Sequence, residues 1–305
     1  MPTSVYDVVI LGLGPAGLQA AVHAARRKTS VLLLGRISKS SLFSAHIENY
    51  FSLFNMSGEE LLSRGLDQAQ RFGAQIKEEN VIGIDPEDGS FRIRTEGGST
   101  IDARSLILAT GSKRNKLGVP GEKAFLGKGV SYCVDCDGLF FRGVDVCIVG
   151  NESAAVDGAL TLAKTAREVH LVCDRLEVAD ALQAALAASP VIIHENSQIK
   201  EIYGREAVAG VCLSDDTRLP VEGVFIELGA KGVLELALKL GIQLDNEMKY
   251  IQTNKQQETS VAGIFAAGDI CGMPWQLAKA VGEGCVAGIG AAAWARQQRR
   301  KTDHA

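Results

Sequence analysis

The sequence predicts an α/β protein of two Rossmann-like domains, and three observations predict it. A glycine-rich turn, Gly12-Leu-Gly14-Pro15-Ala16-Gly17, falls between an apolar run and a helical segment. A second apolar run with a small-residue helix start recurs about 140 residues later. The last apolar run, Gly263–Asp269, leads into a helix rich in glycine and alanine. Taken in order, Tyr6–Gly12 reads as a buried parallel strand, Pro15–Arg27 as its helix and Ser30–Leu34 as the next strand, a β-α-β unit. Glu59–Phe72 carries helical apolar spacing, and Ser105–Ala109 is a short buried strand ahead of Thr110 and Gly111. Val144–Gly150, Ser153–Lys164 and Glu168–Val172 make the second β-α-β unit. The final helix is expected over 276–297, and the charged stretch Gln298–Ala305 as a mobile tail.

Composition narrows the function classes. At 305 residues with 46% hydrophobic content the chain can bury two cores, and nothing suggests disorder. A net charge of -4 gives no reason to expect a nucleic-acid partner. The longest apolar runs, such as Val8–Leu13, are strand-sized, so no membrane span is expected. No signal peptide is expected either, because the first strand starts within about ten residues of Met1. Seven scattered cysteines do not form a disulfide framework, which favours a reducing cytoplasm and a catalytic role for any disulfide.

Two motifs carry chemistry. In the first turn, Gly12 lets the chain reverse, Gly14 lets backbone approach a pyrophosphate, and Gly17 lets helix pack on strand. The acidic residue expected after the second strand is missing: Leu34 is followed by Gly35 and Arg36, which leaves NADP and FAD both open at this point. The second motif is Cys133-Val-Asp-Cys136-Asp137-Gly138. Two cysteines at this spacing close a short disulfide ring, and the spacing often lowers a thiol pKa. Half of a zinc site is the competing reading, but the remaining cysteines are isolated and no metal site is expected. Asp137 is a candidate proton donor or acceptor for thiolate exchange, against a plain helix-capping role. Cys147, Cys173, Cys212, Cys271 and Cys285 read as buried small hydrophobes.

The segment from Gly127 to Gly138 closely resembles the active-site segment of low-molecular-weight thioredoxin reductases. So do Ala109-Thr110-Gly111, Glu48-Asn49-Tyr50, and Gly263–Asp269 with its glycine-rich helix, in family order over nearly the whole chain. The resemblance implies FAD in the first turn and at the Gly268-Asp269 strand end, with Asn49 and Gln276 near the flavin. It implies that Cys136 takes electrons from the flavin, Cys133 attacks the external disulfide and Asp137 handles the proton. It also implies thioredoxin as substrate, a homodimer, and rotation of one domain against the other. The expected domains are 1–113 with 232–305 for FAD, and 114–231 for a vestigial nucleotide domain carrying the cysteines.

The chain departs from that family where NADPH would bind. Gly150-Asn-Glu152-Ser-Ala-Ala155 puts a carboxylate where a glycine would admit the pyrophosphate. The basic cluster for a 2'-phosphate has become Cys173-Asp174-Arg175 with Glu177 and Ala179. The pattern resembles the ferredoxin-dependent flavin thioredoxin reductases, which implies reduced ferredoxin as donor. An acidic donor would seek a basic surface, and the candidates are Arg26-Arg27-Lys28, Lys113-Arg114 with Lys116, and Arg296 with Arg299-Arg300-Lys301. His304 is a further candidate, covering the flavin from the tail. The competing expectations are a second flavin or a pyridine nucleotide in the altered pocket, and a flavin redox sensor without turnover.

Overall fold

The computed structural model describes residues 5–111, 116–228, 237, 239–246 and 248–303, with backbone only for Cys136, Thr302 and Asp303. The candidate residues Lys113, Arg114 and His304 lie outside the described residues.

Strand β1 (Val5–Leu11) leads through helix α1 (Pro15–Ala25) to β2 (Val31–Leu34), parallel to β1 with Val8 opposite Val31. Strands β3 (His46–Ile47) and β4 (Met56–Ser57) form a small antiparallel pair. Helix α2 (Gly58–Arg71) starts where its sequence says it should: Ser57 Oγ accepts from Glu60 N at 3.1 Å, and Glu59 and Glu60 face the positive end of the helix. Then come β5 (Gln75–Lys77), β6 (Val81–Glu87), β7 (Ser90–Thr95) and β8 (Thr100–Leu108), in the sheet order β5-β2-β1-β8-β7-β6. The strand expected over Ser105–Ala109 begins earlier, because its first half pairs antiparallel with β7, fixed by the 3.0 Å ion pair of Arg92 with Asp102.

The chain continues through β9 (Val130–Ser131), α3 (Val134–Asp137), β10 (Val146–Val149), α4 (Ser153–Leu162), β11 (Val169–Val172), α5 (Asp180–Ala187) and β12 (Ile192–His194). The antiparallel β13 (Ile199–Gly204), β14 (Val208–Leu213) and β15 (Arg218–Leu219) follow, and then β16 (Gly223–Ile226). The parallel sheet runs β12-β11-β10-β16-β9, and its Cys147, Val149, Val172, Val224 and Ile226 share a core with Ile202, Val211 and Leu213 of the three-stranded sheet.

Last come β17 (Ile264–Ala266), parallel to β8, and the long helix α6 (Leu277–Asp303). The tail expected to be mobile is therefore helical as far as Asp303, and Arg299 holds it to the buried Asp7 at 3.4 Å. A Cβ on Gly284 would lie 2.2 Å from Ala16 O, and one on Gly288 2.3 Å from Ala20 O, so α6 and α1 meet backbone to backbone. Two compact units result, one of Met1–Thr95, Ser99–Lys113 and Leu236–Ala305, the other of Glu96–Gly98 and Arg114–Glu235. Among the described residues no helix is long and apolar enough to cross a membrane, and no group of three or more metal-ligating side chains occurs.

Candidate functional site

In the first unit the C-terminal ends of β1, β8 and β17 form a cradle. Gly12 has φ +112°, and a Cβ there would lie 2.3 Å from Ala109 O. Gly17 passes so close to Gly12 O that a Cβ would sit at 1.9 Å. Gly14 differs: a Cβ there would meet only Ser40 Oγ at 3.4 Å, so its backbone is open on that side. It caps α1 without any side-chain hydrogen bond, and Pro15 takes a position where no N–H is missed. The first N–H groups of α1 are thus placed to bind an anion, and no side chain among the described residues caps them. Ala109 N donates to Leu11 O at 2.8 Å, placing Thr110 and Gly111 beside the turn; Gly111 has φ +78° with open space around it. Gly268 packs on Ala16, where its Cβ would lie 3.0 Å away. These residues fit a dinucleotide with its pyrophosphate on the helix start.

The Gly268 strand end is held by residues that sequence reasoning missed. Glu283 accepts from Gly268 N at 2.8 Å, while Lys279 Nζ donates to Gly268 O at 2.9 Å and Gly272 O at 2.8 Å and pairs with Glu283 at 3.0 Å. Asp269 is half-buried there; burial raises its pKa above the ordinary carboxylate range and Glu283 adds to this, with Lys279 opposing. Asn49 Nδ2 donates to Gln276 Oε1 at 3.1 Å, joining two predicted site residues from distant parts of the sequence.

In the second unit β9 runs directly into the cysteine segment. Cys133 is buried and disulfide-bonded, whereas Cys147, Cys173, Cys212, Cys271 and Cys285 are free. The side chain of Cys136 lies outside the described residues. Ser131 Oγ donates to Asp137 Oδ2 at 2.6 Å and accepts from Cys133 N at 3.0 Å, so one buried hydroxyl joins the candidate proton carrier to the candidate nucleophile. Tyr132 OH donates to Glu122, which also accepts from Leu117 N at 3.0 Å and Gly118 N at 2.6 Å. Burial works against the Glu122 charge, but these hydrogen bonds outweigh it and hold its pKa below the ordinary range. After Gly138, Leu139 and Phe140 are 76% and 83% exposed, while Phe141 turns inward onto Phe225.

The second turn keeps the backbone of the first but carries a buried glutamate at its helix start. Gly150 has φ +152°, and a Cβ would lie 2.1 Å from Glu227 O, as at Gly12. Where Gly14 stands open, Glu152 caps α4 and is only 6% exposed. The next residue, Ser153, is fully buried, and its hydroxyl finds no partner among the described residues. After β11, Asp174 and Arg175 are exposed, and Glu177 N donates to Asn151 O at 2.7 Å.

Two of the basic clusters lie at the C-terminal ends of α1 and α6. Arg26, Arg27 and Lys28 end α1, Arg26 standing about 18 Å along its axis from Gly14. Arg26 sits over the Phe72 ring at 5.5 Å, and Arg299 is spent on Asp7.

Residues 6–284 match the family described as pyridine nucleotide-disulphide oxidoreductase. A thioredoxin reductase of Mycolicibacterium smegmatis is 36% identical over 307 residues, covering 97% of this chain and 98% of the relative. Among solved structures, the atypical thioredoxin reductase TRi of Desulfovibrio vulgaris Hildenborough superposes with a TM-score of 0.84 at 34% identity, covering 95% of this chain and 98% of that one. A ferredoxin-flavin thioredoxin reductase of Clostridium acetobutylicum gives 0.70 at 32% identity, covering 97% and 99%.

Proposed function

The chain belongs to the pyridine nucleotide-disulphide oxidoreductase family, as a thioredoxin reductase-like disulfide oxidoreductase with FAD as its cofactor, and from that premise we propose that it draws its electrons from reduced ferredoxin and passes them to thioredoxin. One observation carries the choice of donor: the buried carboxylate of Glu152 at the start of α4, where a nucleotide pyrophosphate would need open backbone. A charged side chain there opposes a second anion, and the exposed Asp174 extends the opposition toward a 2'-phosphate. The structural neighbour from Clostridium acetobutylicum, described as a ferredoxin-flavin enzyme, supports the reading.

In this reading the first unit holds FAD through Gly12, Gly14, Pro15, Ala16, Gly17, Ala109, Thr110, Gly111, Gly268 and Asp269, with Asn49 and Gln276 at the ring. When bound, FAD joins one-electron supply to two-electron disulfide chemistry. The second unit is a vestigial nucleotide domain whose Cys133 and Cys136 form the redox pair. Cys133 attacks the partner's disulfide, and Asp137, oriented by Ser131, takes and returns the thiol proton. The exposed Leu139 and Phe140 offer apolar contact to a protein substrate beside the pair. We place the reaction in the cytoplasm and the chain in a homodimer, following the resemblance.

A second reading is favoured by Gly150 and Ser153: the turn keeps its backbone, and a buried hydroxyl there lacks a partner among the described residues, as a retained pyridine-nucleotide or second-flavin pocket would show. Anaerobic flavin absorbance separates the two. Bleaching by photoreduced ferredoxin but not by NADPH or NADH, with recovery on adding oxidised thioredoxin, is the expected result. Prompt bleaching by micromolar NADPH overturns the proposal.

A further inference from the structure

Beside the cysteine segment lies a buried acid with no part in the reading above. Glu227 follows β16 and is 6% exposed. Its carboxylate accepts from Val134 N at 3.2 Å, the N–H immediately after Cys133. Its own carbonyl closes against Gly150, so one residue lies against both the altered nucleotide turn and the cysteine segment.

N–H groups at the start of a helical turn are what usually stabilise the thiolate of a Cys-x-x-Cys pair. Here the first of them is given to a carboxylate. Among the described residues, the charged groups nearby include Asp135 and Asp137 on α3, Glu152 and Asp157 at α4, which packs against it, and Arg142 after the 3-10 turn that follows. We propose that Glu227 is an ionised positioning residue that tunes the redox pair, its buried carboxylate and its hold on Val134 N making a Cys133 thiolate less stable. A like charge disfavours the ionised thiol, so the Cys133 thiol is less acidic than in a pair without it. A pair whose reduced, ionised form is less stabilised is a stronger reductant, the opposite of a pair made oxidising by thiolate stabilisation. That suits a dithiol whose task is to reduce another protein's disulfide.

The inference rests on the reading of Cys133 and Cys136 as the redox pair, but not on the identity of the donor. The test uses the FAD-loaded protein, reduced with dithiothreitol and desalted without oxygen. Alkylation of Cys133 by iodoacetamide, followed by mass spectrometry across pH, gives the ionisation midpoint. Glutathione equilibration gives the ratio of dithiol to disulfide. Glu227→Gln keeps shape and acceptor and removes only the charge. Its midpoint is expected to fall by roughly one pH unit, with the equilibrium moved toward dithiol. Glu227→Leu removes charge and acceptor together and should move both readouts the same way. An unchanged midpoint in a folded Glu227→Gln protein overturns the proposal, and a Leu variant that only loses melting temperature marks the residue as structural. A wild-type pair that is reducible but passes nothing to thioredoxin would instead defeat the proposed function, leaving these measurements readable.

Discussion

Ser131 shows what one hydroxyl can organise. It orients Asp137 with a 2.6 Å bond and secures the backbone of Cys133. A hydrogen bond to a charged group contributes about 1.5–3 kcal/mol, so Ser131→Ala should slow disulfide exchange by roughly tenfold or more and shift its pH profile, leaving flavin absorbance unchanged. Stopped-flow reoxidation by thioredoxin reads this directly. The free cysteines give a second expectation. Burial pushes the Cys147 thiol up to about 12 from an ordinary value near 9. For Cys271, burial and the Glu283 charge likewise push it up to about 12, with Lys279 and a Thr253 hydrogen bond opposing. Both should resist iodoacetamide in the native protein at neutral pH. A folded pKa above the unfolded one gives stability that is complete below pH 9 and lost as pH rises toward 12. Chemical denaturation should therefore show stability falling across that window, less steeply in Cys147→Ala. At this scale the sequence was only partly legible. Cys133, Cys136 and Asp137 stand in one short motif. Ser131 went unread although it lies beside them, and Glu227 is 93 positions from Val134, a separation no local pattern spans.

Among the elements, legibility followed the way each is buried. Strands β1, β2, β10 and β11 are covered on both faces and read as continuous apolar runs, with glycine turns marking the helices after them. The antiparallel β6, β7 and β13 to β15 mix buried with exposed positions and escaped notice, as did the first half of β8, which pairs antiparallel with β7. The tail misled because its charges read as solvated, whereas Arg299 finds a buried partner in Asp7. The α1–α6 contact is the element-scale test. Gly288→Leu puts a side chain where backbone already stands, so the helices must separate; a cost of about 1–3 kcal/mol or more is expected, seen as a melting temperature several degrees lower and weaker FAD retention.

For the whole molecule, the two cradles share one backbone plan and differ by side chains at a few positions. Gly14 leaves its helix start open, and Glu152 fills the corresponding place. Glu152→Gly with Asp174→Arg should therefore tighten NADPH binding by at least about tenfold, because the double change removes a repulsion and adds a charge-assisted hydrogen bond. Isothermal titration of the oxidised protein with NADPH measures it, and an unchanged affinity would mean that Glu152 and Asp174 do not set it.

The backbone contact of Gly284 and Gly288 with α1 also sets an order of events in synthesis. The first β-α-β unit leaves the ribosome early but lacks β17 and the helix that covers α1, which are the last parts made. The intervening unit, contiguous apart from Glu96–Gly98, is complete long before. The nascent chain therefore carries its cysteine segment for some time before it has a finished place for FAD. Nascent chains stalled with Ala262 as the last residue outside the exit tunnel should retain no flavin, whereas released full-length protein should retain it. Supply of FAD matters at release, not at initiation.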